Sequence, residues 1–170
     1  SNHFNQIKIH GLDSELKEIK TIYQDLRGNF WFGSYDNGII IVNDDLNYVE
    51  SLQKENNKWG TANSLIDIKY IKGNYWLATD SGVYVLDKNY KLINHYNTAH
   101  PTNKIISNKV RSIALTDEST VWIATENGLN IVNLITNTIE TVQNNSYNNS
   151  LSSNKLITIF LDNSSNIWIG

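Results

Sequence analysis

Hydrophobic and polar positions along this chain follow a short pattern that comes back at a fixed distance. A tryptophan, a large apolar residue, a small residue and a hydroxyl residue precede a polar turn ending in glycine. An apolar run follows. The opening parts are Trp31-Phe32-Gly33-Ser34, Trp76-Leu77-Ala78-Thr79 and Trp122-Ile123-Ala124-Thr125. The runs are Ile39-Ile40-Ile41-Val42, Val83-Tyr84-Val85-Leu86 and Leu129-Asn130-Ile131-Val132. Ile167-Trp168-Ile169-Gly170 begins a fourth copy, and the four tryptophans lie 45, 46 and 46 residues apart.

Each copy predicts a β-hairpin. The small third residue lets a neighbouring backbone approach closely. Asn37-Gly38, Ser81-Gly82 and Asn127-Gly128 predict a tight primed turn with positive φ. Tyr35 is an extra residue, so the first copy should have a longer turn. Two more strand candidates complete each copy, as in Leu65–Ile71, Tyr75–Thr79, Val83–Asp87 and Lys91–Tyr96 of the second. The fourth copy offers Leu156–Asp162 and Ile167–Gly170. Strict apolar/polar alternation is missing: Ile157, Ile159 and Leu161 face one way, Leu156 and Phe160 the other. Strands of this kind are buried on both faces.

Four short antiparallel strands at a period in the range of about 40–50 residues describe the blade of a β-propeller. The expected fold is all-β, built of four-stranded antiparallel meanders as a partial propeller. Residues 1–12, with a strand at 5–9, read as the last strand of a preceding blade. Residues 13–55, 56–101 and 102–148 read as blades 1, 2 and 3, and 149–170 as the first half of blade 4. By the same reading the chain is a fragment of a longer protein.

Composition changes this picture little. The chain is 40% hydrophobic and 18% charged, with a net charge of −3. No basic stripe appears, so nucleic acid is not an expected partner. No apolar run approaches the roughly 20 residues of a membrane span, so this segment is not expected to contact the membrane directly. Cysteine is absent, which excludes disulfides and thiolate metal sites.

Ser152-Ser153-Asn154-Lys155-Leu156, the Asp162 turn and Ile167-Trp168-Ile169-Gly170 together resemble the two-component regulator propeller repeat. Ile22–Ser34 with Asn37-Gly38-Ile39 resembles it again, and the resemblance recurs in register over essentially the whole chain. Ala78 and Ala124 depart from the usual glycine. Such repeats build the periplasmic sensor region of hybrid two-component histidine kinases in Bacteroidetes. The resemblance implies a periplasmic segment of an inner-membrane protein, recognition of an oligosaccharide and signalling through a homodimer. It implies a non-catalytic segment without a cofactor. The alternatives are a dimerisation scaffold with no ligand site and, further off, a propeller lyase or hydrolase.

No convergent catalytic set stands out in the sequence. His3, His10, His95 and His100 fall at unrelated positions, and the last two read as structural. Asp25, Asp117 and Asp162 recur at the first turn of a blade, where Asp stabilises turns locally. Asn63, Asn108 and Asn154 each precede a first strand and read as loop caps. Trp31, Trp76 and Trp122 recur and so belong to packing between blades, each burial contributing about 2–3 kcal/mol.

The candidate ligand contacts are residues that break the repeat. Trp59 sits in a polar connection, where it is expected either to fold back onto a blade edge or to stand exposed and stack on a sugar ring. His100 and Tyr147 occupy comparable connections. Arg111 is a charge in a first strand where Ile66 and Ile157 align, placed to meet an anionic group in the central channel.

Overall fold

The structure is a computed structural model that describes residues 8–12, 16, 18–34, 38–52, 64–145 and 150–170. Its strands form three four-stranded antiparallel sheets and one two-stranded sheet, and no helix occurs among the described residues. Blade 1 is β1 (Ile19–Gln24), β2 (Phe30–Ser34), β3 (Ile39–Val42) and β4 (Tyr48–Leu52). Blade 2 is β5 (Leu65–Ile71), β6 (Asn74–Thr79), β7 (Gly82–Leu86) and β8 (Leu92–Tyr96). Blade 3 is β9 (Val110–Leu115), β10 (Thr120–Thr125), β11 (Gly128–Asn133) and β12 (Thr138–Val142). The last pair is β13 (Ile159–Leu161) with β14 (Ile167–Ile169), shorter than the sequence pattern predicts. Within each sheet every strand pairs with its sequence neighbour. The propeller meander is present.

Few backbone bonds join the sheets, so apolar faces hold the blades together. Trp31, Ile39 and Ile41 of blade 1 pack on Leu65, Tyr75, Leu77 and Tyr84 of blade 2. Trp76, Ala78 and Val83 of blade 2 pack on Val110, Ile113, Val121 and Ile123 of blade 3. Ala124 and Leu129 meet Leu156 and Ile159 in the third interface. Each fully buried Leu, Ile or Val contributes about 1.5–3 kcal/mol. The small residue after the tryptophan is what allows this approach. A Cβ on Gly33 would lie 2.7 Å from the Cβ of Leu65.

The hairpin between the second and third strands differs from its expected geometry. Gly82 and Gly128 have φ of 110° and 124°, whereas Ser81 and Asn127 do not have positive φ. A primed two-residue turn needs its positive φ on a central residue, so these are not primed turns. A threonine closes each of them. Thr79 Oγ1 accepts from Ser81 N at 3.0 Å and donates to the Gly82 carbonyl at 2.8 Å. Thr125 does the same with Asn127 N (3.1 Å) and Gly128 O (2.7 Å). Glycine is needed because the fourth strand is close: a Cβ on Gly82 would meet the Tyr96 carbonyl at 2.1 Å. The longer turn expected at 35–37 lies outside the described residues.

A second irregularity recurs at the start of each first strand. The ladder slips between Ile19 and Thr21, between Leu65 and Asp67, and between Val110 and Ser112, leaving Lys20, Ile66 and Arg111 as the extra residues of β-bulges. In the fourth copy Ile157 N and Thr158 N both donate to the Gly170 carbonyl, the same two-against-one arrangement. The bulge breaks the parity expected for this strand. Leu156 and Ile159 are buried together, while Ile157 and Phe160 are exposed.

Of the strand expected at 5–9, residues 5–7 lie outside the described residues, and Lys8 and Ile9 carry no strand. His10 instead forms a parallel bridge to Asn47 of blade 1, with His10 N donating to Leu46 O at 2.9 Å.

Candidate functional site

The meander sends the connection from blade 2 to blade 3, the threonine-closed hairpins and the bulges to one end of the blades. His100 and Arg111 both stand at this end. Trp59 and Tyr147 lie outside the described residues, so only two of the four candidates can be placed.

The connection from Asn97 to Lys109 is built by side chains that take over backbone hydrogen bonds. Asn108 Oδ1 accepts from Thr98 N at 2.8 Å while its carbonyl accepts from Gly82 N at 2.9 Å. Asn97 Oδ1 accepts from Ala99 N at 2.9 Å. Asn130, fully buried in β11, accepts from Ile106 N at 2.9 Å. Asn154 repeats the role of Asn108 one blade on, accepting from Asn144 N. The asparagines before the first strands are loop caps, as the sequence pattern indicates; Asn63 lies outside the described residues.

His100 belongs to this scaffold. Its Nδ1 accepts from Asn103 N at 2.9 Å and Thr102 N at 3.3 Å, which leaves Nε2 without a hydrogen-bond partner among the described residues. The neighbouring His95 is committed on both nitrogens. Its ring stacks on Tyr84 with centroids 4.0 Å apart, Nε2 donates to Ser81 O at 2.9 Å, and Nδ1 accepts from Asn97 Nδ2 at 3.1 Å. Burial holds its pKa below the usual histidine value, and the nearby His100 adds to this against the Ser81 bond. His95 is a structural neutral imidazole.

Arg111 does not face the channel as a free cation. The bulge turns it toward Glu126 in the hairpin of its own blade, and the two form an ion pair. The Arg111 hydrogen bond holds the Glu126 carboxyl below its ordinary pKa, with Lys155 and Lys109 adding to the effect. Three cations thus act on one half-buried carboxylate on the rim between blades 3 and 4. Lys20 occupies the same bulge in blade 1, paired with Glu18 at 3.7 Å. Arg111 is therefore not alone of its kind, because aligning the bulges exposes a basic pair that the apolar pattern conceals. Asp67, missed by the sequence reading, ties the inner strands together: its Oδ2 accepts from Ile113 N at 3.0 Å.

The recurring aspartates at the opposite end are taken up by their own turns, and Asp25 also by Tyr90 of the next blade. Asp25 Oδ1 accepts from Arg27 N and Asn29 N at 2.9 and 3.0 Å, and Oδ2 accepts from Trp31 Nε1 at 3.0 Å. Asp162 repeats this with Ser164 N, Asn166 N and Trp168 Nε1 at 2.8, 2.9 and 2.9 Å. Asp117 bonds Ser119 N at 2.7 Å. Among the described residues no group of three His, Cys, Asp or Glu side chains is placed to hold a metal ion.

A polar, hydrogen-bonding rim at one end suits binding, and known structures share the fold. A chain described as the extracellular domain of a hybrid two-component system, BT3049 of B. thetaiotaomicron, superposes over 96% of this chain with TM-score 0.75 and 27% identity. The extracellular domain of a second such system of that organism, BT4673, superposes over 98% with TM-score 0.73 and 20% identity. Both are extracellular domains of hybrid two-component systems, the kind of protein that the repeat resemblance implies. The chain spans about a fifth of their length, 21% in each case. The WD40 domain of Neurospora crassa Pan2, at 13% identity, 84% coverage of this chain, 40% of that one and TM-score 0.58, shares the fold alone. No family model and no curated protein sequence matches the chain.

Proposed function

We propose that this chain is a ligand-sensing propeller segment in the periplasmic region of a hybrid two-component histidine kinase. The observation that carries it is the superposition on the BT3049 extracellular domain at 27% identity over 96% of this chain. The ligand on this reading is an oligosaccharide, held at the connection face by hydrogen-bonding and cationic side chains. His100 Nε2 and the Lys109 and Lys155 ammonium groups on the rim are the described groups offered to it, whereas Arg111 would have to leave Glu126 first. Trp59 and Tyr147 on neighbouring connections would supply stacking surfaces. The segment is non-catalytic, and phosphotransfer belongs to the kinase elsewhere in the parent. Calorimetric titration of the complete ectodomain with an oligosaccharide panel tests this. One saturating oligosaccharide whose binding weakens on His100→Ala or Trp59→Ala is the expected result; unchanged binding in both variants removes the site from this segment.

We also propose that the segment self-associates. Phe160 and Trp168 stand exposed on the last sheet, directly across from each other in the ladder, and Ile157 is exposed just before it. Apolar side chains grouped in this way mark contact surfaces. Light scattering should show dimers at tens of micromolar, lost on Trp168→Lys; a monomer throughout would end this proposal.

A further inference from the structure

At the end of the blades opposite the connections, two inter-blade grooves can be compared side by side. Tyr90 closes the groove between blades 1 and 2. Its ring stands edge-on to Trp31 with centroids 4.9 Å apart. Its hydroxyl donates to Asp25 Oδ2 at 2.7 Å and accepts from Asn29 Nδ2 at 2.8 Å. Arg27 lies 5.2 Å over the ring and reaches past it to the Lys88 carbonyl, at the backbone end of the plug.

One repeat later the tryptophan and the asparagine return, Ile71 stands where Asp25 does, and the plug is missing. Trp76 stands where Trp31 does, and Asn74 where Asn29 does, each two residues before its tryptophan. Lys72 replaces Arg27 in a turn one residue shorter. The corresponding turn of blade 3, Leu134-Ile135-Thr136-Asn137, contains no aromatic residue. What remains is an open groove of about 560 Å³, with Trp76 and Leu134 in its lining, Lys72 and Asn74 on one side and Glu118 on the other. That volume is within the ordinary range for small-molecule sites, about 300–1,000 Å³. Ser119 in the lining is bonded to Asp117, but the other polar side chains are loosely held. Asn74 Nδ2 has only a 3.4 Å contact to the Lys72 carbonyl, and neither Lys72 nor Glu118 has an ion-pair partner among the described residues.

We infer that this groove binds a phenol carrying a carboxylate on a short tail. The aromatic ring takes the place that Tyr90 fills in the neighbouring groove. Its hydroxyl accepts from Asn74, as the Tyr90 hydroxyl does from Asn29, and donates to Glu118 in place of Asp25. The tail carboxylate meets Lys72, whose counterpart Arg27 already seeks an oxygen at that end of the ring. The site is distinct from the connection face and does not depend on an oligosaccharide binding there.

The test is calorimetric titration of this chain with 3-(4-hydroxyphenyl)propionate at neutral pH. A ligand of this size with one buried ring and two polar anchors should bind with Kd of about 1 mM. 3-Phenylpropionate, without the hydroxyl, and tyramine, with an ammonium for the carboxylate, should each bind about 5–10-fold more weakly. Asn74→Ala should abolish the preference for the hydroxyl, Lys72→Gln the preference for carboxylate over tyramine, and Ile135→Tyr should plug the groove. The variants change surface positions, and circular dichroism checks that each is folded. No saturation at tenfold higher concentration, equal affinity for the three compounds, or unaltered binding in the Asn74→Ala and Ile135→Tyr proteins would overturn the inference.

Discussion

The turns Asp25–Trp31 and Asp162–Trp168 are one device built twice, in opposite surroundings. In both, one carboxylate oxygen takes two backbone N–H groups and the other takes the indole N–H, with bond lengths agreeing within about 0.1 Å. Yet Trp31 is 0% exposed and Trp168 is 61% exposed. Tyr75 and Tyr90 of the next blade lie against the first indole, each with its ring centroid 4.9 Å away. No such blade covers the second among the described residues. The device therefore forms without burial, because all its donors lie within six residues of its acceptor. Burial is what turns it from a turn into a joint between blades. Trp122, packed at the edge of the third interface, is half-buried and stands between these extremes.

The comparison breaks most easily at the tryptophans. Trp31→Ala should cost about 3–5 kcal/mol by opening a cavity between blades 1 and 2, read from urea unfolding. Trp168→Ala should move the midpoint by a small fraction of that. Equal losses would show that burial is not the difference.

The carboxylates sharpen it next. Asp25→Asn weakens the acceptor for the Trp31 indole, the Tyr90 hydroxyl and two backbone amides at a buried site. Its expected cost is about 2–3 kcal/mol, the scale of a hydrogen bond to a charged group. Asp162→Asn should leave the unfolding midpoint nearly in place and loosen only its own turn, seen as a shift of the Trp168 indole N–H resonance. A large drop in midpoint for Asp162→Asn would contradict the local reading.

The smallest effect is in acid. The Trp168 and Asn166 side-chain bonds, with backbone help, hold the Asp162 pKa down to about 2 from the usual 3.8. Burial pushes the Asp25 carboxyl up, but the Trp31 and Tyr90 bonds with the backbone amides outweigh it and the net shift is also downward. A carboxylate depressed in the folded state stabilises it fully above its unfolded pKa, and that contribution is lost as pH falls through the folded value. Titration of the Trp168 indole resonance should therefore show a midpoint near 2. A midpoint at 3.8 would mean the clasp does not form in solution.

Much of the blade was legible in the residues because a blade is a local object. The strand order, the tryptophan spacing, the small residue at Gly33 and the capping asparagines all act over short separations. The positive φ was expected in a primed turn, and it falls instead on Gly82 and Gly128 behind threonine-closed turns. The signal was present in the recurring Ser34, Thr79 and Thr125, which read simply as strand residues. The bulges were hidden for a related reason. Lys20, Ile66, Arg111 and Ile157 differ in chemistry, and only pairing across strands shows that they share one backbone position.

Sequence alone determined the period, the meander and the turn-stabilising aspartates before the second strands. Each of these rests on contacts between residues near in the chain, so each copy states them anew. Tertiary structure decided which tryptophan is covered, that Arg111 is taken by Glu126, and that one groove is plugged while its neighbour stands open. Those outcomes depend on partners in other strands and blades, as with Tyr90 and Asp25, 65 residues apart. A repeat pattern says what each blade offers its neighbour; only the packed blades show which offers are taken up.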